Sequence, residues 1–316
     1  MKRVTLVLLI FLYFGPRASA EITFDYSVAE LVIEHFCGGK DNTEAIANHP
    51  GYKHILEHSK RYSSRPLTDE LLRQSLKEPQ KGCFDFSRVA ERKTLYSRMI
   101  QWLKEHELEI INDYAKLPMD YLPDDDDQEA TIYYVIGGYN GIAFDGKICM
   151  NLDFEQFRNN FREIELYISH ELFHIGFEKY HQMPNIIGTS TFGELRAIVL
   201  ATAMNEGLAT LTPLQKRIET NELGDRDYQR LLDSAELQLA IFQFDSVMNY
   251  LTANGNKELS MKVLGSVLGK MSGDRLFYVV GCHIGRTIES KHSIKSIIKR
   301  SPEEYYNLYL EYRRKE

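Results

Sequence analysis

Residues 131–177 read TIYYVIGGYNGIAFDGKICMNLDFEQFRNNFREIELYISHELFHIGF, and the hydrophobic period changes once within them. Up to Leu152, β-branched and aromatic runs are interrupted by Gly137-Gly138, Asn140-Gly141 and Asp145-Gly146, dipeptides suited to the positive φ of tight hairpin turns. This predicts antiparallel strands over about 131–136, 141–144 and 147–152. From Asp153 the period becomes helical, with Phe157, Phe161, Ile164, Ile168, Leu172 and Ile175 on one stripe at three- and four-residue steps. A small antiparallel sheet should therefore lead directly into a helix.

Upstream, residues 21 to about 120 read as short helices joined by polar loops, as in SVAELVIEHF and the longer DFSRVAERKTLYSRMIQWLKEHELEIINDYAKL, whose stripe carries Trp102. The run YLPDDDDQEA marks a boundary. Its four aspartates read as a solvated loop, because the ligand spacing of a calcium loop does not follow. Everything from about 190 onward reads helical. The expected fold is α+β and mostly helical, with the small antiparallel sheet ahead of the histidine-bearing helix and a helical C-terminal lobe. Three segments are expected: 1–20, a helical region over 21–125, and 126–316.

In the first twenty residues, Lys2 and Arg3 precede the apolar run VTLVLLIFLYF, followed by Gly15-Pro16 and the small-residue pattern ASA. That is the form of a signal peptide cleaved after Ala20, since the apolar core is too short to span a bilayer. A secreted or periplasmic protein is expected, with no membrane anchor after cleavage. Loss of Lys2, Arg3 and Arg17 takes the formal charge from −7 to −10, and an acidic surface argues against a nucleic-acid partner. Four cysteines remain: Cys37, Cys83, Cys149 and Cys282. In an oxidising compartment an even number permits two disulfides, Cys37–Cys83 being the pairing within one region. None has C-x-x-C spacing, which argues against a cysteine-based zinc site.

His170-Glu171-x-x-His174 is the densest chemical signal. Residues four apart share a helix face with Cβ atoms about 5–6 Å apart, so two imidazoles can reach one zinc ion. Glu171 is rotated one step, beside a metal-bound water rather than on the metal. The pair points away from the stripe of Ile168 and Leu172. Its flanks LYIS and LFHIGF are uncharged, so the glutamate stands where its charge is costly without a partner.

A catalytic zinc takes three protein ligands and leaves one position open. His181 fails the H-E-x-x-H-x-x-G-x-x-H pattern, because Phe177 stands at its glycine position and Tyr180 at its third histidine. Glu194 lies twenty residues after His174, a thermolysin-like spacing, but also third after Thr191 in a capping box. Glu206 lies in AIVLATAMNEGLATL, a run apolar nearly all round and therefore expected to be buried, where a lone carboxylate needs a cation. Gly207 beside it fits a close approach, such as that of the histidine helix. Asn205 and Thr210 are candidates for orienting the ligands.

HELFH followed by NEGLAT resembles the gluzincin zinc metallopeptidases, in particular the H-E-x-x-H … N-E-G-x-A pattern of the aminopeptidases among them. The resemblance implies Zn²⁺ held by His170, His174 and Glu206, with Glu171 as general base, in a zincin-like catalytic domain over 126–316. The 31 residues between His174 and Glu206 exceed the aminopeptidase spacer, and the insert EKYHQMPNIIGTSTFG accounts for the excess. The upstream G-x-M-E-N exopeptidase signature is missing. The chain is also similar to exported zinc-peptidase-like families with a later E-G-x-A and a distal Y-x-x-G, which Tyr278 and Gly281 match. On that pattern Tyr278 stabilises the transition state, with Arg275 and His283 on the same candidate helix; a core tyrosine is the competing reading. The resemblance spans about 130–290. It implies an exported metallopeptidase acting on a peptide or protein substrate, the alternative being a non-catalytic peptide-binding protein on the same scaffold.

Overall fold

The structure is a computed structural model describing residues 21–315 apart from 64, 81, 128 and 185. The signal peptide expected over 1–20 lies outside the described residues.

Among the described residues, four strands form one mixed sheet: β1 (Glu21–Asp25), β2 (Glu129–Val135), β3 (Gly141–Phe144) and β4 (Lys147–Asn151), in the order β1-β2-β4-β3. The expected antiparallel sheet is corrected here. Only β3 and β4 are antiparallel, whereas β2 runs parallel to both β1 and β4. The Asp145-Gly146 signal does make a hairpin, with φ of 49° and 68°. Gly137 and Gly138, at φ of 81° and 91°, instead lead the chain outward to the sheet edge. The hairpin then returns β4 into the slot beside β2. Burial explains the choice: β2 is almost wholly buried from Ala130 to Val135, and a strand covered on both faces sits inside a sheet rather than at its rim. Strand β1 has no counterpart in the sequence reading, because five residues with mixed exposure carry too little periodicity.

The helices of the first half are α1 (Ser27–Cys37), α2 (Thr43–Asn48), α3 (Pro50–Tyr62), α4 (Asp69–Lys77) and α5 (Val89–Glu109), the last running into a π-helical turn over Ile110–Tyr114. After the sheet come α6 (Glu155–Asn159), α7 (Arg162–Glu178), α8 (Phe192–Leu211), α9 (Leu214–Thr220), α10 (Arg226–Leu232), α11 (Ser234–Ala253), α12 (Met261–Gly273), α13 (Leu276–Glu289) and α14 (Pro302–Arg313). The α+β, mostly helical class is as expected. The helical stripe after Asp153 is broken once: Asn160 is extended and its Oδ1 accepts from the Arg162 amide at 3.2 Å, starting α7 afresh.

Two apolar clusters share α7. Ile164, Ile168, Leu172 and Ile175 face the sheet and the N-terminal helices, while Phe173 and Phe177 face the C-terminal helices. The span Phe192–Thr220 is apolar enough to cross a membrane by length and composition, yet its most apolar stretch is 78 % buried inside the protein, as for a core helix. Across its own cluster, α8 lies against α13.

All four cysteines are free, which corrects the disulfide expectation. Cys149 is buried on β4 against the Gly51 carbonyl, and Cys282 is buried on α13 in the other cluster, so packing holds these two apart. The aspartate run is only partly solvated. Asp126 is buried and takes the Lys179 ammonium at 2.7 Å, and Asp124 pairs with Lys295.

Glu165, five residues before His170, is fully buried. Burial, and then the charge of Glu109, pushes its carboxyl up to about 7 from the usual 4.5. The folded state therefore keeps a proton that the unfolded chain has already released, and stability falls as pH rises from about 4.5 to 7. Glu165→Gln should flatten that slope and raise Tm at pH 8, measured by calorimetry across pH 5–8. An unchanged slope would contradict it.

Candidate metal centre

Two helices build the centre. On α7, the four-residue step sets His170 and His174 side by side, their Nε2 atoms 3.1 Å apart. On α8, Glu206 points its Oε2 at both, 3.6 Å from His170 Nε2 and 3.5 Å from His174 Nε2. His174 is buried, while the side chains of His170 and Glu206 stay 14 % and 22 % exposed. Donor atoms around a tetrahedral zinc with bonds of about 2.0–2.2 Å lie roughly 3.3–3.5 Å apart. The observed triangle matches that edge length, and its donor set of two imidazoles and a carboxylate suits zinc.

The electrostatics point the same way. Burial alone would raise the Glu206 carboxyl, but the two imidazoles hold it well below the usual carboxylate range. Burial would lower His174, yet Glu206 beside it holds the imidazole up to about 9. A buried carboxylate is thus drawing positive charge to itself, and a divalent cation supplies that charge by displacing the proton. His174 Nδ1 lies 2.9 Å from Asn205 Oδ1. As a donor there, it leaves Nε2 free to ligate, the orienting arrangement common around metal-bound histidines.

Glu171 is buried, and burial raises its carboxyl above the usual range. It stands against the edge strand: a Cβ on Gly141 would lie 2.4 Å from its Oε1. A side chain at position 141 would have to push this carboxylate aside. Tyr278 on α13 brings its ring nearly parallel to that of His170, with centroids 6.4 Å apart. The charge of Glu206, and then burial, raise its phenol, which stays a neutral hydrogen-bond donor.

The remaining sequence candidates go elsewhere. Glu194 is exposed and closes the capping box of α8 with Ser190 and Thr191. It stands twelve residue steps before Glu206, about 18 Å along the helix, which takes it out of the triangle. Thr210 donates to the Glu206 backbone carbonyl rather than to a ligand atom. His181 bonds the Ile298 carbonyl, and His283 packs its ring on Tyr309. Arg275 stacks on Tyr278 and pairs with Asp227. Gly207 does mark a close approach, but to another helix than expected: a Cβ there would lie 2.2 Å from the Gly281 carbonyl carbon on α13, not against α7.

The triad opens into a cleft of about 810 Å³. Gly141 and Ala143 of the edge strand, with Asn140 just before it, form one side, and His58 and Tyr62 of α3 extend it. His58 packs tilted against Tyr62 and edge-on to Tyr139, each at 4.8 Å between centroids. More than a hundred residues separate His58 from His170, and no spacing rule links them. Only the aromatic and histidine content of HILEHSKRY could have drawn notice.

A family model described as "Putative zinc dependent peptidase (DUF5700)" matches residues 43–315. No curated protein and no solved structure matches the chain.

Proposed function

We propose, from the premise that the chain belongs to this zinc dependent peptidase family, that it is an exported metallopeptidase of gluzincin type hydrolysing peptide bonds. The observation that carries the reading is the triangle of His170, His174 and Glu206, with Glu171 against its flank. Zinc is the family's metal, and these three residues would hold it.

A zinc ion held there supplies Lewis acidity, polarising a carbonyl and lowering the pKa of water to about 7. Glu171 takes the proton of the attacking water and returns it to the leaving amine. Burial suits it to that exchange, because a carboxyl raised above its usual range is a better base near neutrality. Tyr278 donates its phenolic proton in a hydrogen bond to the developing oxyanion. Asn205 keeps His174 in the ligating tautomer. β3 is a rim strand, and its free backbone edge can receive an extended peptide beside Glu171.

The test begins with the metal. Purified full-length protein should carry about one zinc per chain by inductively coupled plasma mass spectrometry, and should cleave members of a mixed peptide pool. Chelation should abolish cleavage and re-addition of zinc restore it, while Glu206→Ala should lose the metal. Protein that retains no transition ion after zinc loading, or zinc-bound protein that cleaves no peptide, would overturn the reading.

A further inference from the structure

We infer that Arg275 is a specificity-determining residue, which binds a carboxylate of the peptide lying in the cleft. The inference deepens the peptidase reading and rests on it for the class of ligand. Arg275 lines the cleft with its side chain 43 % exposed. Nε and Nη2 both donate to one oxygen, Asp227 Oδ2, at 2.8 and 2.6 Å. Among the described residues, no protein acceptor meets Nη1. One side of the planar guanidinium is thus anchored, and the Nη1/Nη2 edge stays available. That edge is the fork that pairs two parallel N–H bonds with a carboxylate.

The anchor is itself braced to the metal helix. Asp227 is buried, and its amide donates to Asp225 Oδ1 at 2.8 Å. Asp225 Oδ2 in turn accepts from the Tyr167 hydroxyl on α7, also at 2.8 Å. The guanidinium carbon lies 3.5 Å from the Tyr278 ring centroid, so the fork stands one aromatic ring away from His170. Tyr278 thus separates it from the triad and leaves it to contact the substrate away from the scissile bond. The backbone adds an independent sign. Arg275 sits at φ 54°, ψ 29°, the left-handed region, at the start of α13. A non-glycine residue there stores strain, which persists at sites where the side chain is needed.

The experiment measures binding in zinc-loaded protein carrying Glu171→Gln, which removes the base and prevents turnover. Isothermal titration compares two matched peptide pairs: Asp against Asn at one position with amidated C-termini, and free against amidated C-terminus on a neutral peptide. At least one carboxylate-bearing member should bind roughly tenfold more tightly, the size of one charge-assisted pair. The first pair identifies a side-chain carboxylate, the second a C-terminal one. Arg275→Gln should reduce the ratio to near one, and Arg275→Lys should retain part of it. Melting temperature and zinc content show that both variants are folded. Absence of preference in both pairs, a preference that survives Arg275→Gln, or no peptide binding would overturn the assignment. Protein with Glu171 intact that binds with this preference but cleaves nothing would sink the peptidase reading while leaving the clamp.

Discussion

Glu171→Gln is expected to lower peptide hydrolysis by about 10²–10⁴-fold, the worth of a positioned acid–base group, while the protein keeps its zinc. The two effects separate because Glu171 stands outside the ligand triangle of His170, His174 and Glu206. Glutamine fills the same slot against Gly141, where β3 leaves room for this side-chain shape. It cannot take a proton from water, so the loss should appear in kcat at every pH. The metal-free variant should be no less stable than the parent, since burial already disfavours the Glu171 carboxylate. Steady-state kinetics alongside metal analysis make the check. Activity within tenfold of the parent would remove Glu171 from the mechanism, and loss of zinc would make it part of the metal site.

The second large effect is on the fold. Gly207→Ala would put a methyl carbon 2.2 Å from the Gly281 carbonyl carbon and 2.4 Å from its Cα. Both neighbours are backbone, so no side chain can swing aside and α8 and α13 must part. The cost should reach or exceed the upper end of the roughly 1–3 kcal/mol typical of overpacking, lowering Tm by on the order of 5–10 °C. Activity should fall as well, because Tyr278 and Gly281 share α13 and Glu206 adjoins Gly207. Gly265→Ala on α12 is the control, with open space around the added carbon. It should be neutral or stabilising by up to about 1 kcal/mol. Equal melting temperatures for Gly207→Ala and the parent would mean that the helices do not cross this closely.

What the chain reveals by itself is local. The four-residue step from His170 to His174 is a property of any α-helix, so one half of the metal site was legible in five letters. The Thr191–Glu194 capping box accounts for Glu194 from four adjacent residues, and the all-round apolarity of α8 announces that a carboxylate within it needs a partner. The Asp145-Gly146 hairpin was equally plain, because two positive φ angles in succession are a local demand. Each of these rests on interactions within one or two turns of chain.

Tertiary structure decided whatever spans greater distances. Nothing in the 31 residues after His174 states that Glu206 returns to within 3.6 Å of both imidazoles; the packing of α8 on α7 does that. Strand direction was likewise beyond the turn dipeptides. Gly137-Gly138 permits a hairpin, but the burial of β2 on both faces required neighbours on both sides and sent the chain outward first. Gly207 signalled a close approach without naming the partner, and His58, Tyr62 and the Arg275–Asp227 pair meet the cleft from segments with no shared periodicity. Periodicity and turn chemistry are short-range and are written in adjacent residues, whereas apolar burial is non-directional and acts between whichever surfaces the folded chain brings together.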